Sequence, residues 1–286
     1  MASSRPDISI VTPSFNMLPS VKRCAASVQD QGVAVEHIIM DGGSKDGTAE
    51  WLASQSSIMG VSEADNGMYH ALNKAIRKAS AEIVGHLNGD EQYLPGTLQR
   101  VIDYFAQHPE VDFVAGDFLV VDPAGEFIAY RKTFEPRWPY FFSNYLYTTT
   151  CTLFYRRRIF ERVMFDESYR SIADVIFLYQ VMKVGFRGTH LPGYTATFTY
   201  SGVNLSLDPV SAREKKRFLA TLPSWFRIAK PLFFFSFFVE KVLHGNYRET
   251  SPLRYAIYAG DDLSARREFR VEHPGFRLKF VRKAAG

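Results

Sequence analysis

The stretch Glu82–Gly96 reads EIVGHLNGDEQYLPG, and the rest of the chain is organised around it. Its first part, Ile83–Leu87, is a short apolar run of the kind found in buried strands. Two adjacent acids, Asp90 and Glu91, follow where this strand gives way to a loop. In open α/β sheets, ligands bind at the carboxyl ends of strands, so we expect a chemical site at this pair.

Neighbouring carboxylates such as these repel each other unless a cation lies beside them. A hard, oxygen-seeking ion such as Mg²⁺ or Mn²⁺, itself bound to phosphates, is the usual partner of such a pair. The alternative for the pair by itself is a solvated acidic turn that Pro95 and Gly96 close. The motifs on either side favour the ion site.

Strand-like runs and helical patterns alternate over the first part of the chain. The predicted strands are Ile8–Thr12, Val35–Met40, Ile58–Ser62, Ile83–Leu87 and Val111–Ala115, and helices are predicted up to about Gln29, up to about Ala53, over Met68–Ala79 and near Gly96–Gln107. Strands separated by helices of this length predict a parallel sheet with right-handed crossovers. The alternation stops near Gly116, and a hairpin is predicted after it, with strands Phe118–Val121 and Phe127–Tyr130 joined by a turn at Asp122–Gly125.

Composition indicates a globular protein without a disulfide framework. The 286 residues are 46% hydrophobic and 22% charged, enough for one large α/β domain with or without an appendage. Cys24 and Cys151 have no metal-ligand spacing and suit a reducing cytosol. Met1–Asp7 contains no apolar segment of the signal-peptide type, so we expect a cytoplasmic location.

Charge is distributed unevenly along the chain. Val210–Gly286 contains 16 Lys and Arg against 7 Asp and Glu, whereas the preceding 209 residues contain 18 against 23. The basic residues are concentrated in this tail and not interleaved around a groove, so nucleic-acid binding is not expected. The basic tail and the acidic body are predicted to serve different purposes.

The loop Asp41–Thr48, DGGSKDGT, is the second informative motif. Its glycines allow close approach of a ligand to the backbone, and Asp41 at a strand end can accept hydrogen bonds from a base or a ribose. Asp46 could instead serve only as a helix N-cap. The loop is not the Gly-x-Gly-x-x-Gly fingerprint of dinucleotide-binding proteins.

Several motifs taken together resemble family-2 glycosyltransferases of GT-A fold. They are, in order, TPSFN at 12–16, DGGSKDGT at 41–48, DNGMYHALNK at 65–74, LNGDEQYLPG at 87–96, FYRR at 154–157, FDE at 165–167 and IAD at 172–174. The resemblance covers about Asp7 to Ser206. It implies an α/β fold, namely a Rossmann-like GT-A mixed sheet with helices on both faces, here followed by an aromatic and basic helical appendage. It also implies a nucleotide-diphosphate-sugar donor, a divalent cation (Mn²⁺ or Mg²⁺) and inversion at the anomeric centre.

Carried over by position, the resemblance implies roles for individual residues. Donor binding falls to Thr12, Pro13, Asn16, Asp41, Asp65, Asn88, Asp90 and Ser206, with Asp41 at the base. Asp90 and Glu91 would hold the metal ion, and Ser206 belongs to a segment that is similar to the family's lid near the diphosphate. Asp174 stands at the position of the catalytic base, although an N-cap of the following helix is the alternative for this residue.

Three positions depart from the family's pattern. Glu91 replaces the usual Asp of the metal motif, His70 stands where Asp is frequent, and the threonine-rich segment 148–152 replaces a His-Gln pair. His70 is interpreted either as a polar helix residue or as a donor to a sugar hydroxyl or phosphate.

The C-terminal region suggests contact with a membrane surface. In Pro223–Leu243, the longest uncharged run is Pro231–Val239, far below the roughly 20 residues that a spanning helix needs. Trp225 and many phenylalanines between basic residues suit an element that lies in a membrane interface. A helix buried against the catalytic domain is the alternative.

The expected function is transfer of a sugar from a nucleotide-sugar donor, with a UDP-sugar favoured by the resemblance, to a lipid-linked or polysaccharide acceptor in bacterial-type surface glycan synthesis. We expect this at the inner face of the plasma membrane, with residues 1–116 binding the donor, 117–210 binding the acceptor and 211–286 forming the appendage. Two other classes stay open. A non-catalytic nucleotide-sugar-binding or scaffold protein would bind the donor without turnover. A nucleotidyltransferase would need a glycine- and arginine-rich N-terminal loop, which is missing here.

Overall fold

The computed structural model describes residues 5–143, 147–201 and 209–277, and a nine-stranded mixed sheet forms the body of this part. Its strands are β1 (Ile8–Ser14), β2 (Val35–Asp41), β3 (Ile58–Ser62), β4 (Ile83–His86), β5 (Gln92–Tyr93), β6 (Phe113–Val121), β7 (Phe127–Arg131), β8 (Leu153–Arg156) and β9 (Gly188–Thr199). They lie in the order β3-β2-β1-β4-β8-β6-β9-β5, with β7 paired to β6. The first four strands are mutually parallel, and β8 runs antiparallel between β4 and β6.

Helices connect and cover these strands. They are α1 (Leu18–Gln29), α2 (Thr48–Ala53), α3 (Met68–Lys78), α4 (Thr97–Gln107), α5 (Trp138–Ser143), α6 (Ala173–Lys183), α7 (Pro209–Thr221) and α8 (Ser224–Leu243). A separate hairpin, β10 (Leu253–Ile257) and β11 (Arg267–Val271), follows α8. The first four predicted strands and helices are confirmed, with ends that differ by a few residues at most.

The two faces of the sheet bury alternate residues of each strand, because side chains along a strand point to opposite sides. Val11 of β1 belongs to the cluster that contains α3 and α6, whereas Ile10 belongs to the cluster that contains Cys24 of α1 and Val101 of α4. Helices therefore cover both faces, as the sequence predicted. The carboxyl ends of the parallel strands stay uncovered by these helices and form the edge described below.

The second half of the sheet differs from the sequence prediction at Gly116. Val111–Ala115 and Phe118–Val121 were predicted as separate strands, but β6 runs through Gly116 without a break and pairs in parallel with β9. A Cβ atom at Gly116 would lie 2.4 Å from Cγ2 of the buried Thr195. Glycine is therefore required for β9 to approach β6, and it does not mark the end of the strand. The hairpin between β6 and β7 is confirmed.

The C-terminal region packs onto the rest of the protein. Phe226 and Phe237 of α8 lie in the same buried cluster as Phe134. Next to the acid pair, Gln92 exchanges two hydrogen bonds of 2.9 Å with the backbone of Tyr258. The predicted boundary at residue 116 lies inside β6. The division of the chain at 116 and 210 into donor-binding, acceptor-binding and C-terminal parts therefore stays a prediction about function.

Gly116→Ala should destabilise the fold by about 1–3 kcal/mol, since the added methyl group overpacks a buried strand contact. Gly275→Ala is the matched control, because a Cβ atom at Gly275 meets nothing within 4 Å. Denaturant unfolding of both variants measures the difference. Equal midpoints for the two variants would contradict the close approach of β9.

Candidate active site

The carboxyl ends of β1, β2 and β4 meet at one edge of the sheet. Ser14 of β1 is paired with Asp41 of β2, and the carbonyl oxygen of Ser14 accepts the N–H of Gly42 at 2.9 Å. On the other side, the carbonyl oxygen of Pro13 accepts the N–H of Gly89 at 3.3 Å. The three predicted donor-binding motifs therefore lie side by side.

Asp41 lies at the centre of this edge, with its carboxylate almost fully buried. One carboxylate oxygen accepts the N–H of Ser44 at 2.9 Å and the hydroxyl of Ser62 at 2.6 Å, and the other accepts the hydroxyl of Ser44. A buried carboxylate needs such donors, because desolvation would otherwise disfavour its charge. Asp41 thus holds together the loops that follow β2 and β3.

Asn16 joins the loop after β1 to the loop after β2. Its Oδ1 accepts the N–H of Lys45 at 3.0 Å, and its own N–H donates to Ser44 Oγ at 2.7 Å. The φ angle of Asn16 is 50°, a left-handed conformation that asparagine tolerates better than most residues. Asp46 continues the connection, since its carboxylate accepts the N–H of Leu18 at 2.8 Å.

An exposed aromatic ring lies next to this pair of loops. Phe15 is 58% exposed, and both its ring and the Asp65 carboxylate pack against Gly42. A Cβ atom at Gly42 would lie 2.9 Å from Asp65 Oδ2 and 3.2 Å from the Phe15 ring. Sequence analysis did not assign Phe15 a role, although an aromatic residue just after a strand-end Thr-Pro-Ser was the available signal.

Thr12 and Asn88 face inward. The hydroxyl of the buried Thr12 lies 3.0 Å from Nε2 of His37, and burial lowers the pKa of His37 to about 3, so this ring is neutral. The Asn88 side chain lies 2.9 Å from His86 Nε2 and donates to Thr150 Oγ1 at 3.3 Å. Both side chains thus form hydrogen bonds within the protein, behind the edge. Their direct contact with a donor stays a prediction.

The two acids of the pair, Asp90 and Glu91, lie in different environments. The half-buried Asp90 carboxyl accepts a hydrogen bond from its own backbone N–H, and burial raises its pKa. Glu91 turns inward, where its Oε2 accepts the N–H of Asn88 at 2.9 Å, and its Oε1 is buried without a conventional hydrogen-bond partner beside the Cys151 thiol. Burial and, secondarily, the charge of Asp90 raise the pKa of Glu91.

The threonine-rich segment 148–152 lies directly behind the acid pair. Its short 3₁₀ helix, Thr150–Thr152, brings the Thr150 hydroxyl to Asn88 and the Cys151 thiol to Glu91. The segment thus shapes the environment of the acids from the core side.

Asp174 lies in the first turn of α6, whose N-cap is Ile172, so Asp174 is not the cap itself. Its Oδ1 accepts the N–H of Val175 at 2.9 Å and lies 3.3 Å from the hydroxyl of Tyr69, the donor on α3. Burial raises the pKa of Asp174 to about 6, and these hydrogen bonds oppose the rise. A carboxyl group with such a pKa can exchange a proton near neutral pH.

A cavity of about 240 Å³ lies beside Tyr69. It is lined by Asn66, Gly67, Met68, Tyr69, His70, Glu167, Tyr169, Arg170, Ser171 and Val210. Within it, Nδ1 of His70 accepts the N–H of Asn66 at 3.1 Å, so the proton of a neutral ring is on Nε2. His70 can therefore donate from Nε2, in line with the second interpretation of this residue.

Two further predictions concern Ser206 and the divalent metal ion. Ser206 lies outside the described residues. Within the described ranges, no group of three or more His, Cys, Asp and Glu side chains is arranged to hold a metal ion by itself.

Comparison with known proteins agrees with this geometry. The model of the family described as Glycosyl transferase family 2 matches residues 9–167. An uncharacterized glycosyltransferase of Mycobacterium tuberculosis is 34% identical over 95 residues, which cover 32% of this chain and 36% of that protein. EpsJ of Bacillus subtilis, also an uncharacterized glycosyltransferase, is 24% identical over 60% of this chain and 55% of its own. The chain thus matches between about a third and about half of the length of these relatives.

Solved structures resemble the fold. The S. aureus TarS fragment 1-349 in complex with UDP-GlcNAc has a TM-score of 0.63 at 18% identity and covers 83% of this chain and 73% of its own. A mannosyltransferase from Pyrobaculum calidifontis, in complex with GDP-Man and Mn2+, has a TM-score of 0.56 at 16% identity, with coverage of 87% and 77%. The predicted GT-A type of α/β fold is thereby confirmed.

Proposed function

The chain belongs to glycosyl transferase family 2, and from this premise we propose that it moves a sugar from a nucleotide-diphosphate sugar to a hydroxyl group of a lipid-linked or polysaccharide acceptor, with inversion, in bacterial cell-surface glycan synthesis. The observation that carries the proposal is the hydrogen bond of Asp174, a carboxyl group whose pKa burial raises to about 6, to Tyr69, which lines a cavity in a family-2 fold. Because Asp174 lies beyond the matched residues 9–167, its role rests on geometry and not on the match.

The donor would bind along the edge formed by β1, β2 and β4. The exposed ring of Phe15 offers a flat apolar surface for a base, and aromatic rings stack on bases of any sequence. Asp65 and the Asp41 loop lie next to this ring and would contact the base and ribose. TarS in complex with UDP-GlcNAc has a similar fold, which supports a UDP-sugar as the first donor to test.

Asp174 would act as the general base. The acceptor oxygen forms a bond to the anomeric carbon while the bond from that carbon to the diphosphate oxygen breaks, and Asp174 takes the proton of the acceptor hydroxyl. The nucleoside diphosphate leaves with the bonding electrons. Inversion follows because attack and departure occur on opposite sides of the carbon.

The acid pair fits a divalent ion. Asp90 offers carboxylate oxygens that no described side chain occupies, and Glu91 keeps one buried oxygen without a conventional partner. Mg²⁺ and Mn²⁺ are often held by only one or two carboxylates together with phosphates. When bound, such an ion would act as a Lewis acid on the departing diphosphate. Asp90 and Glu91 would be its protein ligands.

Helix α8 presents an apolar row to solvent and supports contact with a membrane. The row contains Ile228, Leu232, Phe235, Val239 and Val242, spaced by four and three residues so that they share one side of the helix. The opposite side, with Phe226 and Phe237, is buried. The buried face agrees with the interpretation of a helix packed on the catalytic domain, and the exposed row supports the proposed membrane contact. No described helix is long and apolar enough to cross a bilayer.

Basic residues near this row favour an anionic lipid surface as its partner. Arg227 is exposed on α8, and Arg213 and Lys216 are exposed on α7. Lys215 of α7 lies close to Lys230 of α8, and burial together with this like charge lowers the pKa of Lys215. An anionic head group would relieve the repulsion. Since anionic lipids are enriched in the cytoplasmic leaflet, we propose peripheral contact with the inner face of the plasma membrane.

Asp174→Asn should reduce sugar transfer by about 10²–10⁴-fold, because the amide cannot accept the acceptor's proton. For the unchanged protein, kcat/KM should fall as the pH drops below about 6, since protonation of Asp174 removes the base. Transfer assays over a pH series test both statements. Asp103→Asn, on the exposed face of α4, is the control. Near-normal turnover by Asp174→Asn would remove this residue from the mechanism.

UDP binding should require a divalent ion. In excess chelator we expect the affinity to fall by at least about tenfold, because the Asp90 and Glu91 carboxyls would otherwise face the diphosphate. Calorimetric titrations with Mn²⁺ and with chelator measure the difference, and Asp90→Asn should abolish most of it. Equal affinities in the two titrations would show that the site works without metal.

The membrane contact is tested by co-sedimentation with vesicles. The triple change of Leu232, Phe235 and Val239 to Ser should strongly reduce binding to anionic vesicles without unfolding the protein, since all three side chains are exposed. Salt should release the unchanged protein only in part, because it screens the charges and not the apolar burial. Met59 and Val184, exposed apolar residues elsewhere, supply the control when changed to Ser. An unchanged protein that stays in the supernatant at low salt would refute the contact.

A further inference from the structure

We propose that Tyr69 and Glu214 are positioning residues that together hold Asp174 in its working orientation. The inference rests on the proposed function, since it assigns the base that this function requires. Tyr69 belongs to α3, Glu214 to α7, and both contact the turn that leads into α6. Neither residue touches the reacting atoms in this proposal, so each acts through Asp174.

Glu214 fixes the backbone of the turn. Its two carboxylate oxygens accept the N–H groups of Arg170 at 2.7 Å and of Ser171 at 2.9 Å. Hydrogen bonds from backbone N–H to an ionised carboxylate are stronger than those between neutral groups, so a single side chain determines where this turn lies. The contact spans 44 residues for Arg170 and 43 for Ser171. α7 therefore acts directly on the segment three residues before Asp174.

Tyr69 fixes the same turn from the other helix and also reaches the carboxyl group. Its hydroxyl lies 3.2 Å from the carbonyl oxygen of Ser171 and 3.3 Å from Asp174 Oδ1. Its single proton goes preferentially to the carboxylate when Asp174 is ionised, because a charged acceptor forms the stronger bond. This hydrogen bond lowers the pKa of Asp174 against the larger effect of burial.

The hydroxyl of Tyr69 is itself held in place. Its ring is buried and stacks on Phe165 with centroids 5.6 Å apart, and Phe165 stacks on Phe177 of α6 at 4.4 Å. The stacked rings and the Tyr69–Asp174 hydrogen bond therefore both connect α3 to α6. A tyrosine in this packed setting cannot swing away from the carboxyl group without disturbing both helices.

The two residues meet at Ser171. Its N–H is held by Glu214 and its carbonyl by Tyr69, so the effect of either residue on Asp174 depends on the other. Tyr69, which contacts Asp174, and Ser171 also line the cavity of about 240 Å³. An acceptor that enters this cavity would therefore meet a wall that is already in position, which is how preorganised sites reduce the cost of orientation.

The test compares Tyr69→Phe, Glu214→Gln and the double variant, with Tyr155→Phe as control. Tyr155 is buried and feels the charge of Asp174, but it makes no hydrogen bond to that carboxyl group among the described contacts. Tyr69→Phe should raise the pH of half-maximal kcat/KM by about half a unit to one unit and lower kcat by roughly tenfold, since it removes a hydrogen bond to the ionised form. The Kd for UDP should change less than about twofold, as the donor edge is untouched.

Glu214→Gln should lower kcat with an unchanged Kd for UDP, because its amide group repels one of the two N–H groups. The double variant should lose less than the product of the single losses, since both residues act through Ser171. An unshifted pH profile for Tyr69→Phe, or independent losses in the double variant, would overturn the proposed positioning of Asp174 by these two residues. If one single variant fails to fold, the pH profile and kcat of the other still decide. If Asp174→Asn loses transfer activity while the Tyr69 and Glu214 variants behave normally, only the proposed positioning role is refuted. If Asp174→Asn keeps its transfer activity, the proposed function itself is refuted.

Discussion

The burial of carboxyl groups at the open edge of a parallel sheet is the constraint on which the rest of this structure depends. Asp41 is almost fully buried, and its carboxyl group accepts hydrogen bonds from Ser44 in the loop after β2 and from Ser62 at the end of β3. A charge that loses water must find donors, and here the donors are the loops themselves. The shape of the edge is thus a consequence of satisfying one side chain. Removing that carboxylate would free both loops at once.

The remaining acids of the site lie in graded environments. Asp90 is half-buried and contacts no other described side chain by a hydrogen bond, Glu91 is turned into the core, and burial raises the pKa of Asp174 to about 6. This gradation separates an acid suited to a cation from an acid suited to proton transfer, although all are the same functional group.

The C-terminal region contributes to the site as well as to the surface. α7 supplies Glu214 to the turn before Asp174, while α8 buries Phe237 in the core and exposes Phe235 to solvent. The segment predicted to be an appendage therefore buries one face of α8 in the hydrophobic core of the sheet and its helices. Under the proposed function, the same region would contact the membrane through α8 and position the base through α7.

Local patterns of the sequence determined the strands and helices of the first half and the strand ends that carry Asp41 and Asp90, because periodicity and turn residues predict the same local structure in any context. The mixed GT-A sheet and the position of Asp65 beside the nucleotide pocket were predicted only from the resemblance to family-2 glycosyltransferases. Only the tertiary structure decided that β6 continues through Gly116, that Glu91 turns inward, and which phenylalanines of α8 are buried. Those outcomes depend on partners far away in the chain, such as Thr195 against Gly116 and Cys151 against Glu91. A pattern of single residues cannot specify a contact between two distant segments, because the energy of that contact belongs to the pair.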